Sequence, residues 1–190
     1  MNVGQTFYAR NRAQWRAWLS KHHRTAREIW LVYYKKHSGK PRIPYNDAVE
    51  EALCYGWIDS ILKPIDSERY AQRFSPRRPT SRLSAMNRER VRRLIASGRM
   101  TKAGLGRIKH VFDHRTDAKR QLTWELPKDI RERLKWDPAV WKNFRRFPES
   151  YKRIRIGWIA AARHRPEVFE QRLRYFLKMS ARNKRFGMVQ

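Results

Sequence analysis

The carboxylate of Asp59 sits in Gly56-Trp57-Ile58-Asp59-Ser60, just past an apolar helical pattern and four residues before Lys63. A carboxylate at such a corner can bind a ligand, or it can pair with Arg73, Arg77 or Arg78. No second carboxylate lies close enough in sequence to suggest an acid/base pair. A structural ion pair pinning the corner is therefore the plainer reading. Downstream, Tyr70 and Arg73-Phe74-Ser75-Pro76-Arg77-Arg78 interleave guanidinium and aromatic groups. Guanidinium forks take phosphate bidentately and rings stack on bases, so the segment is a candidate anion site. The competing reading is an edge strand whose outer face is solvated arginine.

Ser84 to Phe112 has the length and the short glycine-containing turn of a helix-turn-helix, with Arg88, Arg92, Arg93 and Arg99 on a basic side. Gly104 and Gly106 weaken a helix meant to lie in a groove, which argues against sequence-specific DNA reading. His110 and His114 stand one helical turn apart beside Asp113 and Asp117, but no third ligand is evident and no metal is expected. Cys54 lies in an apolar helical stretch and reads as a small core residue. A glycine-rich phosphate loop, a G-x-S-x-G elbow and an H-E-x-x-H pair are all missing, so neither a cofactor nor an established catalytic signature is indicated.

The 190-residue chain carries 45 basic and 17 acidic residues, a formal charge of +28, with 41% apolar residues. It can bury a core, so it is not a disordered polycation. Such charge seeks polyanions, although an arginine-rich codon bias would supply part of it. Before Leu126 there are 27 basic and 11 acidic residues, and from Leu126 onward 18 and 6, so no single tail accounts for the imbalance. A lone cysteine, an N-terminus unlike a signal peptide and the lack of a membrane-span-length apolar run imply a cytoplasmic protein without a membrane span.

These groups must be positioned by an α+β fold. Phe7 and Tyr8 open a short strand, Asn11 to His22 a helix, and Glu28 to Lys36 a central strand. Asn46 to Trp57 is the clearest helix, with Asp47, Glu50 and Glu51 near its positive end. Ile58 to Ile65 and Glu68 to Ser75 are two antiparallel extended segments. Ser84 and Thr101 cap the hairpin helices, the second carrying Leu105, Ile108, Val111 and Phe112. The sequence turns polar at 114–125, which reads as a linker. Helices follow at Asp137-Pro138, Pro148 and Pro166, and Ala181 to Gln190 reads as a loose basic tail.

Several stretches match a known pattern: Trp30-Leu31-Val32-Tyr33, Asp47-Ala48-Val49-Glu50-Glu51-Ala52-Leu53-Cys54 with Gly56-Trp57-Ile58-Asp59-Ser60, Tyr70 to Arg78, and Asn87 to Leu105. Leu126-Pro127, Ser150-Tyr151 and Trp158-Ile159-Ala160 continue it. On these segments nearly the whole chain resembles the YdeI/OmpD-associated, bacteriocin-protection family. One departure is Ser81-Arg82-Leu83-Ser84, where family members often carry a tryptophan in the third place. The resemblance implies a stress or antimicrobial-peptide-resistance role and carries over no catalytic residue.

The expected architecture is an α+β core domain over 1–113 with a small, mainly antiparallel sheet, a linker over 114–125 and a helical C-terminal module with a basic tail over 126–190. The expected function is non-enzymatic binding of a polyanion, nucleic acid first, through Arg73, Arg77, Arg78, Arg88 and Arg92 with Tyr70 and Phe74 stacking. One alternative is a small-molecule or enzymatic site among Trp57, Asp59, Arg73 and Asn87. Another is a protein-interaction role in envelope stress.

Overall fold

The computed structural model describes residues 3–187 as an α+β protein of two compact units. The first unit comprises the chain up to Arg82 together with Arg90–Phe112. The second comprises Leu83–Glu89 and the chain from Asp113 onward.

In the first unit, β1 (Thr6–Tyr8) leads to α1 (Arg12–His22), β2 (Ile29–Tyr34), α2 (Tyr45–Cys54), β3 (Trp57–Pro64) and β4 (Arg69–Pro76). The strands form one sheet in the order β1-β2-β4-β3. β1 pairs with β2 in parallel, and the other two pairings are antiparallel, so the sheet is mixed but mainly antiparallel. β4 is thus an interior strand rather than an edge. Its register sets Phe74 against Ile29 and Asp59, and Gln72 against Leu31 and Leu62, with an irregularity in β3 between Asp59 and Leu62. Since strand side chains alternate, Tyr70, Gln72 and Phe74 share one face with Trp57 and Asp59, and Arg73 takes the other.

The face bearing Phe74 is the buried one. Asn11 caps α1 by accepting from the Gln14 amide, and Trp15 and Leu19 turn inward. The Trp15 ring lies 5.3 Å from Phe74 and 5.3 Å from Trp18, and its indole donates to the Ala48 carbonyl at 3.0 Å. That bond ties α1 to α2 and satisfies the polar atom of a fully buried ring. α3 (Ala85–Ala96) ends at Gly98, which adopts φ 66°. α4 (Lys102–Ile108) is capped by Thr101 and stops at Ile108, so Val111 and Phe112, expected on this helix, lie beyond its end. Gly104 serves packing: a Cβ there would overlap the Cys54 carbonyl.

The second unit contains α5 (His114–Leu122), α6 (Lys128–Lys135), α7 (Pro138–Arg146), α8 (Glu149–Ala160) and α9 (Pro166–Ala181). The stretch expected as a linker is largely helical. Asp113 caps α5 through the Thr116 amide at 2.8 Å, and buried Asp117 pairs with Arg88 at 3.3 Å. This helix buries little apolar surface, so it has no hydrophobic period to reveal it. The core gathers Ile130, Leu134, Phe144, Tyr151, Ile159 and Phe176.

The segment expected as a loose tail is docked as far as it is described. The Phe186 ring lies 4.7 Å from Tyr175 and 4.3 Å from the Arg155 guanidinium, which donates to the Phe186 carbonyl at 2.7 Å. Residues 188–190 of that tail lie outside the described chain. Among the described residues no helix is long and apolar enough to cross a membrane.

Candidate functional site

Gly56, at φ 76°, turns α2 into β3. A side chain there would strike Arg107, so glycine is required both for the turn and for the close approach. The strand it opens places Asp59 two residues after buried Trp57, on the same face. Asp59 Oδ2 accepts from the Tyr45 hydroxyl at 2.8 Å and from Gln72 Nε2 at 3.0 Å. Burial first, and then the Asp59 charge and the hydrogen bond to it, push the Tyr45 phenol up to about 12. Tyr45 therefore stays a neutral donor to the carboxylate.

Arg77 follows β4, held by its amide on the Gly56 carbonyl at 2.9 Å. The residue is 2% exposed. Nη1 donates to the Arg82 carbonyl at 3.2 Å, whereas Nε and Nη2 have no partner. Arg90 is also buried and donates to Asn46 Oδ1 at 2.7 Å. Burial lowers both guanidinium pKa values, and the Asp59 carboxylate acts in the opposite sense on each. Nearby, Tyr33 stacks on Tyr70 at 5.2 Å and 7°, its buried hydroxyl has no partner, and burial pushes its pKa up. The Tyr70 hydroxyl accepts from Arg42 at 2.8 Å.

Other candidates are placed differently. Trp57 is core, donating to the His23 carbonyl at 3.2 Å. Arg73 lies on the opposite sheet face from Asp59, and its Nε and Nη2 both hold Glu28, at 2.8 and 2.5 Å. Phe74 is fully buried against Trp15, so its ring is not a surface for stacking. Arg78 is exposed, Arg92 is half-buried, and Arg88 and Asn87 belong to the second unit. The Asn87 amide donates to Ser84 Oγ at 3.2 Å, the cap expected there. Burial pushes the Cys54 thiol up to about 11, which leaves it unreactive at neutral pH. His110 faces the Ser81 carbonyl at 3.2 Å, and His114 opens α5.

One buried network has only a faint sequence signal. Asp47, Glu50 and Glu51 stand at i, i+3 and i+4 and so share one face of α2. Fully buried Glu51 accepts from Arg12 at 2.5 Å, Arg16 at 2.6 Å and Arg99 at 2.5 Å. Arg12 also reaches Asp47 and Glu50, both at 3.0 Å, and Arg93 bonds Glu50. The spacing of the acids was readable; the four arginines, distant in sequence, were not.

In the second unit, Pro138, Trp141, Lys142 and Arg145 recur along one face of α7 and, with Arg146, line a shallow open cleft of about 560 Å³. No acidic side chain among the described residues pairs with Lys142, Arg145 or Arg146. The Lys135 ammonium lies 5.4 Å from the Trp141 ring centre. Trp136, beside α7, is 75% exposed under the Arg133 guanidinium at 5.0 Å.

Residues 7–107 match the model of a family described as Domain of unknown function (DUF8412). The chain belongs to the DUF8412 family. Residues 123–183 match a second family model, described as Bacteriocin-protection, YdeI or OmpD-Associated. The YdeI/OmpD-associated domain thus lies in the second unit, while the motifs from Tyr45 to Leu105 fall within the DUF8412 match. The comparisons with curated proteins and with solved structures returned no match.

Proposed function

We propose that this DUF8412-family protein is a non-enzymatic, cytoplasmic polyanion-binding protein whose ligand is nucleic acid, and that the α7 face is its contact surface. The observation that carries this reading is the run of unpaired cations flanking Trp141. Elsewhere many arginines are occupied by acids: Arg12, Arg16 and Arg99 by Glu51, Arg73 by Glu28, Arg153 by Glu89 and Arg163 by Asp129. Lys142, Arg145 and Arg146 have no such acid and keep their charge for an outside partner. Neutralising phosphates with such side chains releases counterions and drives sequence-independent binding. Trp141, and the exposed ring of Trp136, offer stacking to unpaired bases.

The test uses nuclease-treated protein with duplex and single-stranded oligonucleotides across a salt series. Converting Lys142, Arg145 and Arg146 to glutamine removes three phosphate contacts. The slope of log K against log salt then becomes shallower by about 2.7 on duplex DNA and about 2 on single strands. An unchanged slope refutes the assignment to α7. We extend to this chain the bacteriocin protection named in the description of its second domain. Survival of a strain lacking the gene would then be restored by the parent protein and not by the triple variant.

A further inference from the structure

Arg77 combines two properties that rarely coexist: it is 2% exposed, and two of its three guanidinium nitrogens lack a partner. Buried guanidinium groups ordinarily satisfy their donors, because desolvating an unpaired charge is costly. The nitrogens left over are Nε and Nη2, since Nη1 is spent on the Arg82 carbonyl. Those two N–H groups form the side edge that grips both oxygens of a carboxylate or phosphate in parallel. Asp59, the acid whose charge Arg77 feels, forms no ion pair with it; its Oδ2 is engaged by Tyr45 and Gln72. Glu50 does not serve either, being taken by Arg12 and Arg93. The buried Arg77 guanidinium is thus left without an ion-pair partner among the described residues, in a setting of weak screening.

We propose that the Arg77 edge is the anion-binding end of a small-molecule site in the first unit, taking a ligand that carries a carboxylate or phosphate group. Asp59, fixed by Tyr45 and Gln72, stands near that end and disfavours excess negative charge on the ligand. The exposed loop Arg78–Thr80 directly follows Arg77 and is anchored beyond its end by the Arg82 carbonyl on Arg77 and the Ser81 carbonyl on His110. Entry proceeds by displacement of this loop. Arg73, on the opposite face of the sheet, takes no part. The site is independent of the α7 surface.

The experiment is calorimetric titration of the full chain with sodium acetate and with sodium phosphate, at an ionic strength held constant with chloride. The background carries Lys142→Gln, Arg145→Gln and Arg146→Gln, so that α7 does not contribute. The expected result is one saturable site per chain, with the tighter of the two probes identifying the ligand's anionic group. Arg77→Lys, which keeps charge but loses the fork, weakens binding roughly tenfold to a hundredfold. Asp59→Asn, which keeps one carbonyl oxygen to accept from Tyr45 and Gln72 as Oδ2 does but removes the opposing charge, tightens it. Should Arg77→Lys fail to fold, Asp59→Asn decides: tighter binding supports the site and unchanged binding overturns it. Absence of a saturable site for both probes overturns the proposal, as does a folded Arg77→Lys protein that binds with undiminished affinity.

Discussion

Replacing Glu51 with glutamine removes the charge at the centre of the α1–α2 network while keeping the shape of the side chain. Three guanidinium groups converge on this carboxylate within 2.6 Å, and Glu51 itself is fully buried. Breaking a buried pair by removing one partner costs about 3–5 kcal/mol, because the remaining charge stays buried without compensation. Here the arginine side chains retain 23%, 34% and 39% exposure, so water screens them in part and the low end applies, about 3 kcal/mol. For a unit of this size that corresponds to a fall in melting temperature of roughly 12–24 °C. Heat unfolding followed by circular dichroism measures it, with Glu28→Gln as the internal comparison. The Arg73–Glu28 pair is about one-third exposed on both sides and contributes less than about 1 kcal/mol. If Glu51→Gln melts no lower than Glu28→Gln, the network does not stabilise the fold in the way argued.

Three further outcomes follow from single groups. Phe186→Ala destabilises the second unit by about 2 kcal/mol, below the cost for a fully buried phenylalanine because the ring is half-buried, and a chemical-denaturation shift under about 0.5 kcal/mol would mean the segment is not docked. Cys54, with its thiol raised to about 11, reacts with a disulfide reagent at pH 8 only at the rate of unfolding, so fast labelling of the native protein would contradict its burial. The Arg73 hydrogen bonds hold Glu28 below its ordinary value of 4.5 in the fold; its stabilising contribution is therefore full above that value and lost as pH falls through the lower, folded one, so the parent and Glu28→Gln melting curves converge in acid and separate at neutral pH.

Much of the scaffold was legible because its signals are local. Asn11, Ser84, Thr101 and Asp137 each announce a helix start by a side chain able to accept from the amides that follow, and Gly98 marks an end. Aromatic and branched residues marked β2. α5 stayed hidden because its stability rests on a cap and on Asp117 rather than on an apolar stripe. Phe186 was lost among basic neighbours, a single ring being no pattern.

The functional groups were less readable because strand order is a long-range property. Sequence alone placed Arg73 beside Asp59 in one candidate set, and it could not show that β4 is interior with Arg73 facing away. The parity of Arg73, Gln72 and Phe74 along a strand does follow from alternation, so the separation of Arg73 from Phe74 was available. Pairing and burial consume charge invisibly: within the quoted motif Arg73 is held by Glu28 and Arg77 is buried, leaving Arg78 exposed, while Lys142, Arg145 and Arg146 lie together without an acid on α7, where the sequence had only suggested a helix.

The most direct test of the polyanion reading compares two triple variants of equal net charge by fluorescence anisotropy with labelled single-stranded DNA at physiological salt. One converts Lys142, Arg145 and Arg146 to glutamine, and the other converts the exposed Arg10, Lys21 and Arg78. The account predicts that the first loses most of the affinity and the second keeps it. Equal losses in both would contradict it, since binding would then follow total charge rather than the α7 face.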